Sequence, residues 1–207
     1  MEIKLIDRHS VDWVKAVTLV KSKYLEYFGA TIDPNPDYFA VYYDAEASIK
    51  ACGGISLAQS QPFFSEKYLR HSVAESIAAK LNSPVLREDI VEVGALASIS
   101  HNAGSELIRL IPLLAWCKGK KYIFCTATRS LSRQFDRLGI NFTELEAATP
   151  EALDANERER WGSYYSAAPS TGFINLSEMS ESFMSNTGRY AFKNLEVKLY
   201  RNDRRVA

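Results

Sequence analysis

From Asp89 to Thr128 the chain runs through an apolar strand-like stretch, DIVEVGALASI, a polar glycine-bearing turn, SHNAG, an apolar helical stretch, SELIRLIPLLAWCKG, and a second apolar stretch, KYIFCTAT. Strand, helix and strand joined by such short connections form a βαβ unit. Its two strands must be parallel, because only a crossover through the helix can return the chain to the same end of the sheet. Every other element has to be fitted around that unit.

Ser10 is a candidate cap for a helix over 11–28, where Val14, Val17, Tyr24 and Phe28 recur near helical spacing. GATIDPNPD ends it, since two prolines and a glycine cannot continue the ladder. FAVYYD and IKACGGISL, separated by AEAS, read as a hairpin. Pro62 can open a helix over FFSEKYLR, and SVAESIAAKL follows with Ser72 as its cap. Beyond the βαβ unit, RSLSRQFDRLG is a helix stopped at Gly139, NFTELEAA a strand, and TPEALDANERERWG a charged connection with some helical character. Near the end LEVKLY alternates as a strand should. No repeat or shift in composition marks a linker, so residues 1–207 read as a single domain, α/β with a mixed sheet (α+β in its hairpin half).

The balance of 25 basic and 25 acidic residues leaves no field to draw nucleic acid or anionic lipid. Nucleic acid is therefore not an expected partner. The charged N-terminus lacks the apolar core of a signal peptide, and LIPLLAWC falls far short of the roughly 20 residues that span a bilayer, so a cytoplasmic protein without a transmembrane segment is expected. Cys52, Cys117 and Cys125 each lie in an apolar element and read as buried free thiols. With three histidines and no close Cys/His spacing, no metal site is expected.

Alternation along the strand at 90–99 puts Glu92, Gly94, Leu96 and Ser98 on one face and Val91, Val93, Ala95, Ala97 and Ile99 on the other. Gly94 mid-strand marks a bulge or a close approach by a ligand. HNAGSEL supplies a helix N-terminus, whose free amides and dipole suit an anion. Gly104 would let the backbone come near it, with His101, Asn102 and Ser105 as side-chain donors. The plainer possibility is an ordinary strand-to-helix turn with Ser105 as cap. If the strand splays from KYIFCTAT, the cleft between them would suit a ligand with amides along an arm and phosphates at one end, such as coenzyme A or an acyl-pantetheine carrier.

EVGALASIS, the helix after HNAGS, YIFCTAT, FDRLGI and RWGSYYSAAP resemble, in order and spacing, the thermostable hemolysin family. Its members carry a strand reading E-[IV]-G-N-L-A-S, a strand ending F-T-A-T, a helix closing R-L-G and a W-G-x-Y-Y segment. PFFSEKYL and Glu75 fit the same pattern, and the resemblance covers roughly residues 39 to 172. It implies a GNAT-like acyltransferase fold, similar in organisation to the acyl-homoserine lactone synthases, with an acyl-CoA or acyl-carrier-protein thioester between splayed strands. On that resemblance the pantetheine would lie along Leu96, Ala97 and Ser98, and the pyrophosphate would meet His101, Asn102, Ala103, Gly104 and Ser105. Three positions depart from pattern. SISHNAGS holds one glycine and no arginine, Phe135 stands where many GNAT enzymes place a tyrosine acid, and Ala95 replaces the family's asparagine.

Acyl transfer to an amine needs a base, a polarising donor for the carbonyl and a means to neutralise the thiolate. Glu92, an acid in an apolar strand, is the candidate base; the competing role is an ion pair with an arginine that holds the fold. Backbone amides at Leu96 or Ala97 could polarise the carbonyl. Trp161, Tyr164 and Tyr165 read as a lid or acceptor pocket, with either tyrosine as substitute acid, or as anchors of their loop. Thr126 and Thr128 end a parallel strand, where α/β sheets bind ligands, or cap the helix at Arg129. Arg129 and Arg133 could meet donor phosphates or lie on a solvated face.

The expected activity is acyl transfer to a small, amino-acid-like amine in metabolite or signal biosynthesis, an acyl carrier protein being a possible partner. The alternatives are a membrane-active protein touching lipid through WGSYY, or a GNAT-fold binding protein without catalysis.

Overall fold

The computed structural model describes residues 2–59, 62–185, 188 and 189; the segment LEVKLY lies outside the described residues. Strand β1 (Glu2–Ile6) leads into helix α1 (Trp13–Phe28), which buries Ala16 and Val20 and stops at Gly29, a left-handed residue at φ 64° whose N–H bonds to the Leu25 carbonyl at 2.9 Å. Strands β2 (Tyr38–Tyr43) and β3 (Ile49–Leu57) form the expected hairpin, its turn held by Asp44, whose carboxylate accepts from the Glu46 and Ser48 amides at 3.0 and 2.8 Å. A 3₁₀ helix at Phe64–Tyr68 takes the place of the longer helix expected after Pro62. Helix α2 (Val73–Leu81) follows, capped reciprocally by Ser72 and Glu75.

The βαβ unit consists of β4 (Ile90–Ser98), α3 (His101–Cys117) and β5 (Tyr122–Ala127). After it come α4 (Arg129–Arg137), β6 (Phe142–Ala147), α5 (Ala155–Arg160), a 3₁₀ turn at Tyr164–Ala167, β7 (Ser170–Asn175) and α6 (Ser180–Ser185). Among the described residues seven strands make one sheet in the order β1-β2-β3-β4-β5-β7-β6, in which β4 and β5 pair in parallel and every other pair is antiparallel.

One face of the sheet packs α3 and α4 through Val91, Val93, Leu107, Ile111, Ile123 and Phe135. The opposite face packs α1 through Val20, Phe39 and Val41, and the 3₁₀ helix with α2 through Phe63, Ile77, Phe124 and Phe173. The four phenylalanines Phe39, Phe63, Phe124 and Phe173 are fully buried, each contributing about 1.5–3 kcal/mol over exposure.

Two further expectations change, and one strand is new. Helix α3 starts at His101, with Ser100 as its cap accepting from the Ala103 amide at 3.3 Å, so HNAG forms the first helical turn and Ser105 is not the cap. Cys117, unlike Cys52 and Cys125, is exposed, because it sits at the last residue of α3 beyond its packed face. STGFIN, unassigned from sequence, is β7 and inserts between β5 and β6. Among the described residues no helix is long and apolar enough to cross a membrane.

Candidate active site

The parallel ladder between β4 and β5 is short. It joins Ile90 to Tyr122, Val91 to Ile123 and Glu92 to Phe124, and then stops, although β4 continues to Ser98 and β5 to Ala127. A β-bulge accompanies the separation. Cys52 pairs with Ala97 and Gly54 with Gly94, so Gly53 alone faces both Ala95 and Leu96, and Ala95 adopts a left-handed φ of 50°. A Cβ on Gly53 would lie 2.6 Å from Leu96 Cδ2, so the bare glycine makes room for the extra residue. The bulge also resets the alternation. Leu96 packs with Val91 and Val93 on the α3 side, while Ala95 and Ala97 face α1, the reverse of the strict alternation expected.

Two cavities meet at the bulge. The first, about 530 Å³, opens between the parted strands and is lined by residues 93–101 of the β4 side, by Thr126 and Thr128, and by Leu131 and Gln134 of α4. The second, about 580 Å³, lies towards the 3₁₀ helix and is lined by Glu92, Ser65, Phe64 and Trp161 among others. Their shared wall is Tyr24, Val93, Gly94, Ala95, Thr126 and Tyr164. A molecule in each cavity would bring two reactive ends together there.

Glu92 is buried, at 7% exposure, and among the described residues makes no arginine ion pair; Arg87, the nearby candidate, bonds Glu66 instead at 2.5 and 2.7 Å. Its carboxylate accepts from the Phe64 amide at 2.8 Å and the Ser65 amide at 2.7 Å, the free donors at the start of the 3₁₀ helix. Burial raises its pKa above the ordinary glutamate value, and the Ser65 hydroxyl and the two amides oppose that rise. A hydroxyl chain leads away from it. Thr126 Oγ1 donates to Ser65 Oγ at 2.9 Å and lies 2.9 Å from Thr171 Oγ1; with its one proton committed to Ser65, it accepts from Thr171. Ser65 keeps its own proton for Glu92.

Tyr164 is buried in the shared wall, its ring 4.9 Å from Trp161, 5.2 Å from Phe28 and stacked at 6.3 Å on Tyr24. Burial pushes its hydroxyl well above the usual tyrosine pKa, and Tyr24 up to about 12, so both stay protonated. The loop carrying these aromatics is tied to the end of α1. Ser163 N–H bonds the Phe28 carbonyl at 2.8 Å and the Thr31 amide bonds the Arg160 carbonyl at 2.7 Å. Gly162 is required at this junction, at φ 52°, because a Cβ would fall 2.2 Å from the Phe28 oxygen.

The sequence model of the thermostable hemolysins matches residues 6–180. The chain belongs to the thermostable hemolysin family. No curated protein matches it in sequence. Among solved structures, the CoA-dependent acyl-homoserine lactone synthase BjaI, with SAM and isopentyl-CoA, aligns with a TM-score of 0.58 at 12% identity over 88% of each chain. FeeM, an N-acyl amino acid synthase from uncultured soil microbes, gives 0.57 at 13% identity, over 88% of this chain and 99% of that one. The acyl-homoserine lactone synthase LasI gives 0.54 at 14% identity, over 84% and 89%. This hemolysin-family chain therefore has the GNAT-like fold that those synthases share.

Of the expected donor contacts, Leu96, Ala97, Ser98, His101 and Gly104 line the first cavity, and Asn102, Ala103 and Ser105 do not. Ala103 is buried on the packed face of α3, and Ser105 Oγ accepts from Gln134 Nε2 at 3.0 Å, bridging α3 to α4. Gly104 is explained by packing, since its Cβ would lie 2.8 Å from Ser98 Oγ. Arg129 and Arg133 are exposed on α4 outside both cavities, the solvated-face alternative. Thr126 lines both cavities; Thr128 lines the first while also capping α4 through the Leu131 amide. Trp161 lines the second cavity. Tyr165 lines neither, its hydroxyl 2.7 Å from that of Tyr68 in a separate packed cluster. None of the three WGSYY aromatics is exposed, which removes the footing for lipid contact there. Tyr24, Ser65 and Thr171 were not singled out from sequence. Nothing in a helical repeat separates a tyrosine that packs from one that lines a cavity.

Proposed function

We propose that the protein transfers an acyl group from a thioester, on coenzyme A or an acyl carrier protein, to a small amine. The observation that carries this reading is the parting of β4 and β5 beyond Glu92, which leaves a cavity beside strand backbone without ladder partners. The thioester arm would lie along residues 93–98, where such amides can bond an amide-bearing chain, with its phosphate end towards the first turn of α3. The acceptor would occupy the second cavity.

The ammonium of the acceptor gives a proton to the Glu92 carboxylate, directly or through Thr126 and Ser65. The freed amine attacks the thioester carbon, the C–S bond breaks, and the departing thiolate takes a proton from Tyr164 or Tyr24. That tyrosine regains it from the amide nitrogen, which sheds its second proton. Since acyl thioesters are made inside cells, the proposal implies a cytoplasmic site of action.

The test is incubation of purified protein with panels of acyl-CoA, acyl-carrier thioester and amine, following free thiol. Donor-dependent thiol release that requires an amine is expected. Absence of release with every pair, together with no donor-induced rise in Tm, would overturn the reading in favour of a non-catalytic member of the fold.

A further inference from the structure

We propose that the acceptor is a primary amine carrying no carboxylate, an arylalkyl or alkyl amine in place of an amino acid. This rests on the acyl-transfer reading for the reaction, but its carrying observation is separate: the charge and surface of the second cavity.

The ionisable groups of that cavity are Asp33, Glu66, Glu92 and Glu157 against Lys67 and Arg160. Most are already matched. Asp33 pairs with Lys21 at 2.5 Å, Glu66 with Arg87, and Lys67 with Glu157. Among the described residues Glu92 is left as the carboxylate with no ion pair, buried in the second cavity and next in sequence to Val93 of the shared wall. An ammonium placed there gains a partner for its charge and stands where its nitrogen must react.

An acceptor carboxylate is served less well: among the described lining residues only Arg160 is a cation without an ion pair, and it is exposed, where water and salt screen its charge. Lys67 is spent on Glu157 and lies 5.0 Å over the ring of Phe64. Arg160 is exposed at the outer end of α5, with its Nε–H bonded to the Thr31 carbonyl at 3.0 Å. The rest of the lining is Trp161, Tyr24, Tyr164 and Phe63 with prolines 34, 36 and 62, surfaces that favour a ring or an alkyl chain. Aromatic faces carry negative potential, which attracts an ammonium and repels a carboxylate. A buried anion among them would lose its hydration without compensation.

The experiment compares each amine with its carboxylated counterpart: phenethylamine with phenylalanine, tyramine with tyrosine, isoamylamine with leucine. With a donor that supports thiol release, kcat/KM for the amine should exceed that for the amino acid by at least about tenfold. In parallel, the same compounds are titrated without donor, following Tm in the wild type and in Glu92→Gln. Amines should raise Tm in the wild type and raise it less in Glu92→Gln, while amino acids leave it unchanged. A preference for the amino acid in either arm would overturn the proposal, most directly if Arg160→Ala abolished that preference. Amines that bind through Glu92 but never release thiol would sink the acyl-transfer reading and leave the amine site standing; turnover with amino acids alone would do the reverse.

Discussion

At Glu92 two effects oppose each other, and their balance sets a pH dependence. Burial favours the neutral carboxyl, two amides and the Ser65 hydroxyl favour the carboxylate, and burial wins, so the folded pKa lies above the reference 4.5. The folded protein then binds more protons than the unfolded chain between those two values. Stability at Glu92 is therefore lost as pH rises from about 4.5 through the folded pKa, and Glu92→Gln removes that loss. Urea unfolding across pH 4 to 8 should show the wild type weakening relative to Glu92→Gln as pH increases; an unchanged difference would contradict the balance. Activity should follow the opposite slope, since only the carboxylate accepts a proton, and Glu92→Gln should lower kcat by about 10²-fold or more. Tyr164→Phe keeps the packed ring and removes the hydroxyl, so it should lower kcat by about 10²-fold with little change in donor KM, unless Tyr24 serves alone. Glu92 was legible because an acid inside an apolar strand is costly and asks for a reason. Ser65 and Thr126 were less so. Their hydroxyls matter through a contact between residues 61 positions apart, which no local pattern encodes.

The element that builds the site is the bulge in β4, and its chemistry is backbone chemistry. Ala95 sits at φ 50°, where an L side chain costs roughly 1–2 kcal/mol. Ala95→Gly should therefore raise stability by up to about 1 kcal/mol, and Ala95→Val lower it by about 1–2 kcal/mol, because a β-branched residue resists that conformation more than alanine. Urea midpoints with unchanged m would establish both. Gly94 announced the bulge in sequence, as a glycine that an unbroken strand would not choose. Which face each later residue takes was hidden, because a bulge inserts one residue and inverts every side chain after it. The start of α3 was misplaced for a related reason. Asn102 and Gly104 resemble turn residues, yet Ser100 caps the helix before them and Gly104 serves close packing on Ser98. Strand β7 escaped notice because Gly172, which weakens a strand signal, is there for the approach of β6: a Cβ would lie 2.3 Å from the Thr143 carbonyl.

On the scale of the whole molecule, the sheet brings two cavities to one wall, and binding in each should be separable. A ligand that binds only the folded state stabilises it by RT ln(1 + [L]/Kd), about 2.7 kcal/mol at a hundredfold excess over Kd. For a chain of this size that corresponds to a rise in Tm of roughly 5–10 °C. Leu131 lines the first cavity from α4 and packs against the core on its other side, whereas no part of α4 lines the second. Leu131→Trp would extend an indole into the first cavity, where it meets no packed core, so the folded protein should lose little stability of its own. The acyl-thioester shift should disappear in this variant while the amine shift persists. Loss of both would mean that the two cavities act as one site, and persistence of both would mean that the thioester does not enter between β4 and β5.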